Sequence, residues 1–335
     1  MSESKSNPTM KDVAREAGVA LGTVSKVVNG IPVGEDYRVR VEEAIKKLNY
    51  QINSYAKGFK SGKTMTIAVV MPNLVSPYFA LLTNCIQKVL AARYYQMVYY
   101  SSDYIPELEE KYIRMAERQK VDGIICLSYY PKQVLPEDLN VVFIDRYFGG
   151  KFPCVTSDNY GGGWMAAEKL VELGCKHIAI LQIGSRLPHE PDKRRDGFVA
   201  SCEALGVDYE QCILHDGDPY QDFVDFLQAR FHDGKLDLDG IFCVTDAMVH
   251  QIRNTLREMG LRVPEDVQMI GFDGIREFGD LEFTCSTIVQ PVELIAQSCV
   301  DILLQEPGTP TPSLICLPVH YEYGGTTKDA VVSGS

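Results

Sequence analysis

After residue 64, short apolar runs alternate with longer stretches in which apolar side chains recur every three or four residues. Runs such as TIAVVMP, DGIICLS, GIFCVTD and VQMIGFD have uninterrupted apolar centres, which is typical of strands buried on both faces. The amphipathic stretches between them, such as residues 78–92 and 107–119, predict helices that cover those faces. The pattern therefore predicts parallel sheets packed between helices.

This region is too long for a single sheet of that kind. Its roughly 260 residues favour two doubly wound parallel-sheet subdomains with a cleft between them. Ligands of such α/β folds bind at the carboxyl ends of the strands. Polar residues of this chain gather at those ends, at Ser101–Asp103, Asp145–Arg146, Thr245–Asp246 and Asp273.

The first 50 residues follow a different, purely helical pattern. Residues 9–30, TMKDVAREAGVALGTVSKVVNG, predict two short helices joined by a tight turn. Thr9 with Asp12 three residues later forms a capping box that begins the first helix. Gly18 stands where the chain turns, since glycine takes left-handed backbone angles at little cost. The second helix is expected over residues 21–29.

The second predicted helix has a polar outer face. Its valines, Val24, Val27 and Val28, face inward, so the outward positions are Leu21, Gly22, Thr23, Ser25, Lys26 and Asn29. Such side chains suit the base edges and phosphates of duplex DNA. An ordinary amphipathic helical pair is the alternative interpretation. The small Ala14 and the turn at Gly18 favour the DNA-binding helix-turn-helix.

The charge distribution supports that division of the chain. A third helix is predicted over residues 37–48, and residues 53–64, NSYAKGFKSGKT, have the composition of a linker. The net charge is −12, but residues 1–63 hold eleven Lys/Arg and seven Asp/Glu, a balance of +4, which leaves −16 for the remainder. A basic N-terminal module on an acidic body fits one domain that contacts phosphates and another that does not.

Composition argues against several classes of protein. The ten cysteines include no CxxC pair and mostly lie in apolar runs, which predicts buried thiols in a reducing compartment. The six histidines show no metal-ligand spacing, so no metal site is expected. The N-terminus is polar and no apolar run is long enough for a membrane span. We therefore expect a cytoplasmic protein without a membrane partner.

A glycine-rich segment could be taken for a cofactor site. Residues 161–166, GGGWMA, match the GxGxxA form of a dinucleotide fingerprint. The next strand, HIAILQIG, ends without the acidic residue that would hold a ribose. We therefore expect no nicotinamide, flavin or other cofactor, and interpret the glycines as a site of close helix packing.

Taken together, these segments resemble the LacI/GalR family of bacterial transcription repressors along essentially the whole chain. The resemblance lies in TMKDVAREAGV, TVSKVVNG and RVRVEEAIKKLNY at the N-terminus, and in DGII, DNYGGG, RRDGF, GLRVPEDVQMIGFDG and STIVQP in the body. It implies an all-α helix-turn-helix headpiece, a hinge helix, and a core like the periplasmic sugar-binding proteins. It also implies a homodimer on a near-palindromic operator.

The resemblance gives expected domain boundaries. They are a disordered N-terminus at 1–8, a helix-turn-helix domain at 9–52, a hinge at 53–63, an effector-binding and dimerisation core at 64–325, and a tail at 326–335. Within the core, the N-subdomain is expected at 64–159 and 291–319, and the C-subdomain at 160–290 and 320–325. The tail lacks leucine heptads, which favours a dimer over a tetramer.

For the headpiece, the resemblance implies specific DNA contacts. Leu21, Gly22 and Lys26 occupy base-reading positions, although Gly22 has no side chain to read with and Ala20 replaces the usual N-capping Ser. Positions that hold phosphates and sugars are Thr9, Thr23, Ser25 and Asn29.

The hinge matches the family at Asn53, Ala56 and Lys57. Phe59 stands where the family usually has a leucine that is inserted between base pairs in the minor groove. Ile52 replaces the usual proline and Gly58 disfavours a helix, so we predict a hinge that folds only on DNA. A plain flexible tether is the alternative.

The effector residues implied by the resemblance are Tyr78, Phe79, Asp145, Arg194, Tyr220, Thr245, Asp246, Asp273 and Gln290. An aromatic face at Tyr78 and Phe79 suits a sugar ring or a base. The Arg194 fork suits paired hydroxyls or a carboxylate. Asp273 matches an acid that takes ligand hydroxyls.

The other implied positions carry alternatives. Asp246 either contacts the ligand or holds its loop. Thr245 stands where the family often has an asparagine, so this chain lacks one amide contact to the ligand. Tyr220 or the neighbouring Pro219 falls where a ring stacks on the ligand, and Gln290 lies at a crossover near the pocket.

The favoured interpretation is a repressor, associated with the nucleoid, whose affinity for double-stranded operator DNA is controlled by a sugar-like effector. The same pattern is shared by regulators whose effector releases the operator and by those whose effector promotes binding. One alternative is a cytoplasmic sugar-binding protein without DNA regulation, against which the intact helix-turn-helix spacing argues. The other is an enzyme on a doubly wound fold, but the sequence shows no nucleophile–base pair or metal set.

Overall fold

The computed structural model describes residues 8–28, 31–50, 63–127, 135–136, 138–147, 149–184, 189–215, 217–277, 281–306 and 308–328. The chain divides into two compact units, residues 1–63 and residues 64–335. Within the described ranges, no helix combines the length and the apolar character needed to span a membrane.

The N-terminal unit contains the three predicted helices, α1 (Met10–Ala17), α2 (Leu21–Val28) and α3 (Glu35–Lys47). The amide and the hydroxyl of Thr9 both donate to Asp12 Oδ2, at 2.9 and 2.6 Å, and Gly18 ends α1 with a φ of 62°. The helix α3 begins two residues before its predicted start. Two acidic residues occupy its first turn, where the helix dipole favours negative charge.

A small apolar core holds these three helices together. Val13 of α1, Val24 of α2 and Val41 of α3 are fully buried, and Ala14 lets α1 and α2 approach closely. The predicted inward positions Val27 and Val28 pack against the same cluster. The opposite side of α2 takes no part in this core.

The second unit alternates strands and helices. Its strands are β1 (Thr66–Met71), β2 (Gln96–Ser101), β3 (Gly123–Leu127), β4 (Val141–Ile144), β5 (Cys154–Ser157), β6 (His177–Gly184), β7 (Asp208–His215), β8 (Phe231–His232), β9 (Lys235–Leu236), β10 (Gly240–Cys243), β11 (Gln268–Asp273), β12 (Thr287–Val289), β13 (Leu314–Leu317) and β14 (His320–Glu322). Its helices are α4 (Pro77–Ala92), α5 (Pro106–Arg118), α6 (Asn159–Glu172), α7 (Lys193–Leu205), α8 (Gln221–Gln228), α9 (Asp246–Glu258) and α10 (Val292–Leu304). A 3-10 turn, Glu190–Asp192, precedes α7.

Two six-stranded sheets confirm the predicted pair of subdomains. The strand order is β13-β5-β4-β3-β1-β2 in the first sheet and β14-β12-β11-β10-β6-β7 in the second, and β8 pairs with β9 in a small hairpin. The chain passes between the sheets after β5, after β12 and after β13. The parallel pattern has one exception in the second sheet, because β14 pairs antiparallel with β12.

Both faces of the first sheet are buried, as its apolar strands predict. Along β1, Ile67, Val69 and Met71 pack against α4 and α10, whereas Ala68 and Val70 pack on the opposite face against α5. The second sheet has its own core with residues of α6, α7, α8 and α9. Eight of the ten cysteines are buried and all ten are free thiols, in agreement with their apolar surroundings.

Candidate functional site

The recognition face, defined here as Leu21, Gly22, Thr23, Ser25 and Lys26, lies on the side of α2 away from the core. Leu21 is 44% exposed, Gly22 and Lys26 are exposed, and Thr23 and Ser25 are half-buried. A Cβ built on Gly22 would meet no heavy atom of the described structure within 4 Å. Packing therefore does not require glycine at this position.

An arginine that the sequence analysis did not single out fixes the turn before α2. Arg40 NH2 donates to the carbonyl oxygens of Ala17 (2.6 Å) and Gly18 (2.9 Å). These carbonyls lie at the C-terminus of α1, where a cation interacts favourably with the helix dipole. Arg40 thus ties α3 to the turn that orients the recognition face.

Of the other predicted DNA contacts, only Thr9 lies within the described residues. The Thr9 hydroxyl is bonded within the capping box, so a phosphate would have to share it with Asp12. Asn29, Asn53, Ala56, Lys57 and Phe59 lie outside the described residues.

The cleft cavity, of about 210 Å³, lies between the two sheets at the carboxyl ends of their strands. Its lining residues are Ser76, Tyr78, Phe79, Tyr104, Asp145, Gln182, Ile183, His189, Pro191, Arg194, Val244, Thr245 and Asp273. The first five belong to the first subdomain and the others to the second. Six of the nine predicted effector residues are brought together here: Tyr78, Phe79, Asp145, Arg194, Thr245 and Asp273.

Arg194 is the central cation of the cleft cavity and is only 5% exposed. Its Nε donates to Asn159 Oδ1 (2.8 Å), and its NH1 donates to the Val244 carbonyl (2.7 Å). The guanidinium carbon lies 3.7 Å from the centre of the Phe272 ring. No described residue accepts a hydrogen bond from its NH2 nitrogen, which leaves two N–H groups for a ligand.

The glycine-rich segment explains how α7 brings Arg194 into the cavity. A Cβ at Gly163 of α6 would overlap the carbonyl oxygen of Arg194, and a Cβ at Gly197 of α7 would overlap that of Tyr160. Glycine at these two positions therefore lets α6 and α7 pack backbone to backbone. The GGGWMA segment serves helix packing, as the sequence analysis proposed.

Two buried carboxyl groups, those of Asp145 and Asp273, line the cleft cavity together with Arg194. Asp145 accepts a hydrogen bond from Thr156 Oγ1 (2.7 Å), and Asp273 Oδ1 lies 3.9 Å from Arg194 NH1. Burial raises the pKa of Asp145 and raises the pKa of Asp273 to about 8, with the negative charge of Asp246 adding to the latter and Arg194 opposing it.

Both acids also have positive φ angles, 57° at Asp145 and 135° at Asp273. Residues other than glycine rarely take such backbone angles, and each one costs about 1–3 kcal/mol of conformational free energy. The surrounding structure holds both acids in this strained backbone conformation. Strain of this kind is typical of functional sites, so it indicates that the cavity is functional.

Gln290 positions the cavity without lining it. Its Oε1 accepts from Tyr78 OH (3.1 Å) and Ser157 Oγ (2.7 Å), and its Nε2 donates to Asp273 Oδ1 (2.8 Å). Ser157 belongs to the first sheet and Asp273 to the second. The Gln290 amide therefore connects the two subdomains directly behind the cleft cavity.

Two predicted effector residues lie elsewhere. Asp246 is 1% exposed and accepts from Thr287 Oγ1 (2.6 Å) and from the Ile275 amide (2.7 Å). It thus holds the loop after β11, which is the second of its two predicted roles. Tyr220 does not line the cavity, contrary to its expected place beside the ligand, because its hydroxyl bonds Thr255 Oγ1 (3.1 Å) and its ring packs edge-on against Phe223.

Several lining residues, notably Gln182, His189 and Tyr104, were not among the predicted effector residues. Gln182 had a signal, because it is the single polar side chain in the otherwise apolar run IAILQI. The others lie in loops whose course no periodicity predicts. No group of three or more His, Cys, Asp or Glu side chains in the described structure is placed to hold a metal ion.

Comparisons with known proteins agree with this architecture. Residues 9–53 match the bacterial regulatory proteins of the lacI family, and residues 167–327 match the periplasmic binding protein-like domain. The sucrose operon repressor of Pediococcus pentosaceus is 30% identical over 308 residues, which cover 89% of this chain and 92% of that protein. The ribose operon repressor of Bacillus subtilis (strain 168) is 30% identical over 327 residues, 96% of this chain and 98% of that protein.

A solved structure, the transcriptional regulator CelR–cellobiose complex, superposes with a TM-score of 0.63 at 27% identity, over 95% of this chain and 99% of that chain. The similarity thus covers both the helix-turn-helix and the two-sheet core. Because it extends over nearly the full length of these repressors, the chain belongs to the lacI family of bacterial regulatory proteins and is a DNA-binding transcription regulator.

Proposed function

We propose that this protein is a homodimeric repressor whose affinity for operator DNA is set by a hydroxyl-rich small molecule of the sugar class. The observation that carries the effector class is the cleft cavity, which is lined by Arg194, with an NH2 group that bonds no described residue, and by the acids Asp145 and Asp273. Carboxyl groups accept hydrogen bonds from hydroxyls and the guanidinium donates to them. The proposal includes no catalysis, since these groups serve binding alone.

The names of the relatives support the same class. The two repressors compared above are named for the sucrose and ribose operons, and the CelR structure holds cellobiose. In this chain, Tyr78 and Phe79 form a tilted aromatic pair whose ring centres lie 5.9 Å apart beside the acids. An apolar aromatic surface next to hydroxyl acceptors suits the two kinds of surface on a sugar ring.

The position of the cavity suggests how the effector acts. Tyr78, Phe79 and Asp145 come from one subdomain, and Arg194 and Asp273 from the other. A ligand that needs contacts from both sides binds most tightly to the arrangement that brings them together, so it shifts the population toward that arrangement. In our proposal the hinge, residues 53–63, passes this shift to the headpiece.

On DNA, the recognition face would enter the major groove. Lys26 reaches a phosphate or guanine acceptors there, and Leu21 packs on a thymine methyl. Two headpieces of a homodimer would meet the two halves of a near-palindromic operator, and the protein would act in the cytoplasm at the nucleoid.

The test is fluorescence anisotropy of the full-length protein with labelled duplexes from its own upstream region and with random duplexes. We expect salt-dependent binding that favours one upstream fragment, and an affinity for it that a sugar changes in either direction. Lys26→Ala should weaken operator binding about 10- to 100-fold. The matched control is Lys47→Ala on α3, where the lysine is paired with Glu16 and should matter little.

Equal binding to operator and random duplexes would contradict the repressor proposal. It would favour the second candidate function, a sugar-binding protein without DNA regulation, provided that sugars still bind. Operator binding that no sugar alters would instead contradict the effector class and leave DNA recognition intact.

A further inference from the structure

A second cavity of about 440 Å³ lies beside the cleft cavity, and we call it the side cavity. The two cavities share Gln182 and His189 as lining residues. The side cavity extends toward the end of β7 at Ile213, and Tyr147 of the first subdomain lines it as well. Like the cleft cavity, it is therefore formed by both subdomains.

The shared residue Gln182 carries an unsatisfied acceptor. Its side chain is almost fully buried, and its Nε2 donates to Asp192 Oδ1 at 3.0 Å. Its Oε1 has no hydrogen-bond donor among the described residues. Buried polar atoms of folded proteins nearly always have a partner, so this oxygen indicates a donor that a ligand would supply.

The charges around the side cavity favour an uncharged ligand. Lys193 Nζ pairs with Glu190 Oε2 at 2.6 Å, and Arg195 NH2 pairs with Asp196 Oδ1 at 3.0 Å. Each described lysine and arginine of the lining thus already has a carboxylate partner. A phosphate in the side cavity would therefore find no uncompensated lysine or arginine. The cleft cavity is lined by Arg194 together with two acids.

The sizes of the cavities point to more than one sugar unit. The cleft cavity alone, at about 210 Å³, is smaller than the roughly 300–1,000 Å³ that is typical of small-molecule sites. With the side cavity added, the combined space falls within that range. Gly184 contributes to the opening, because a Cβ there would lie 3.0 Å from Gln182 Nε2.

We propose that the effector is a neutral glycoside of two sugar units, with one unit in the cleft cavity and the other in the side cavity. A hydroxyl near the linkage donates to Gln182 Oε1. This inference rests on the proposed function, and it specifies the size and charge of the effector.

Isothermal titration calorimetry of the full-length protein tests it. The probes are cellobiose, maltose, sucrose and trehalose, the monosaccharides glucose, fructose and ribose, and glucose 6-phosphate. We expect one disaccharide to bind at least about tenfold more tightly than its component monosaccharides and than the phosphate. The same disaccharide should alter operator affinity.

Two variants locate the second unit. Ile213→Trp fills the side cavity and should weaken disaccharide binding about tenfold, with monosaccharide binding changed less than about twofold. Tyr147→Ala, at a partly exposed side chain, should also weaken only the disaccharide and serves if the tryptophan variant does not fold. Gln211→Trp, at an exposed position of the same strand β7, is the matched control and should change neither affinity.

The inference is overturned if a monosaccharide or glucose 6-phosphate binds as tightly as every disaccharide. It is also overturned if the folded side-cavity variants leave disaccharide affinity unchanged. Either result leaves the proposed function standing, because a sugar still binds. If no probe of any size binds, the sugar class itself fails and this inference fails with it.

Discussion

The recognition face and the cleft cavity are assembled in opposite ways. The recognition face comes from neighbouring residues of one short helix, and its members are exposed or half-buried. The cleft cavity comes from segments spread between Ser76 and Asp273, and its groups hold one another through buried hydrogen bonds. Function should therefore be separable from stability at the recognition face and coupled to it in the cavity.

The largest effect is expected where the cavity depends on backbone packing. Gly163→Ala places a methyl group against the Arg194 carbonyl and forces α6 away from α7. We expect the free energy of unfolding of the core to fall by about 3 kcal/mol, together with loss of effector binding. Urea denaturation followed by circular dichroism measures the change.

The matched control for that variant is Glu168→Ala, at an exposed position of the same helix, which should change stability little. If Gly163→Ala is as stable as the wild type, then α6 and α7 have room to adjust, and the packing role assigned to these glycines is wrong.

The second largest effect is expected for Arg194→Met, which should impair ligand binding and spare DNA binding. Arg194→Met keeps much of the apolar stem but removes the donors to Asn159, to Val244 and to the ligand. We expect effector affinity to fall about 100-fold, with operator affinity in the absence of effector nearly unchanged. Arg257→Met, at an exposed arginine of α9, is the control for calorimetry and anisotropy. Unchanged effector affinity in Arg194→Met would remove Arg194 from the site.

The same contrast explains what could be predicted from sequence. The headpiece helices follow from caps, the turn glycine and helical periodicity, all of which act within a few residues. The long central strands follow from uninterrupted apolar runs. The short strands β5, β12, β13 and β14 were not predicted; each has only three or four residues, which gives a weak pattern.

Cavity residues were predictable only where the family resemblance identified them or where a strand end implied them. Asp145 follows β4 and Asp273 ends β11, and both were found in that way. Tyr220 does not line the cavity, because its hydroxyl bonds Thr255, and no sequence signal shows that contact. Arg40 was missed for the same reason, since its bonds to the α1 carbonyls cross 22 and 23 residues of chain.

A third prediction concerns the pH dependence of the core. Since burial raises the pKa of Asp273 to about 8 in the folded protein, the folded state holds a proton that the unfolded chain releases above about pH 4. This group therefore contributes most stability at low pH, and the contribution is lost as the pH rises toward 8. The slope is at most about 1.4 kcal/mol per pH unit.

The measurement compares urea denaturation of the wild type and of Asp273→Asn between pH 5 and 8, roughly the window that these pKa values define. The amide keeps the size of the side chain and still accepts from Gln290. We expect the stability difference between the two proteins to change with pH in that window. A difference that stays constant would mean that Asp273 is ionised throughout and that Arg194 outweighs its burial.

The smallest expected change in free energy concerns Gly22 on the recognition face. Because a Cβ at Gly22 meets no described atom, Gly22→Ala should fit without strain and stabilise α2 by up to about 1 kcal/mol. Slower amide exchange in α1 to α3 of the full-length protein would report that gain, with exchange in the core unchanged. The added methyl points toward the surface that we assign to DNA, so the preference among operator variants should shift even though stability rises. Faster exchange in the headpiece would show that glycine is needed for the fold, and the separation of function from stability at this face would then fail.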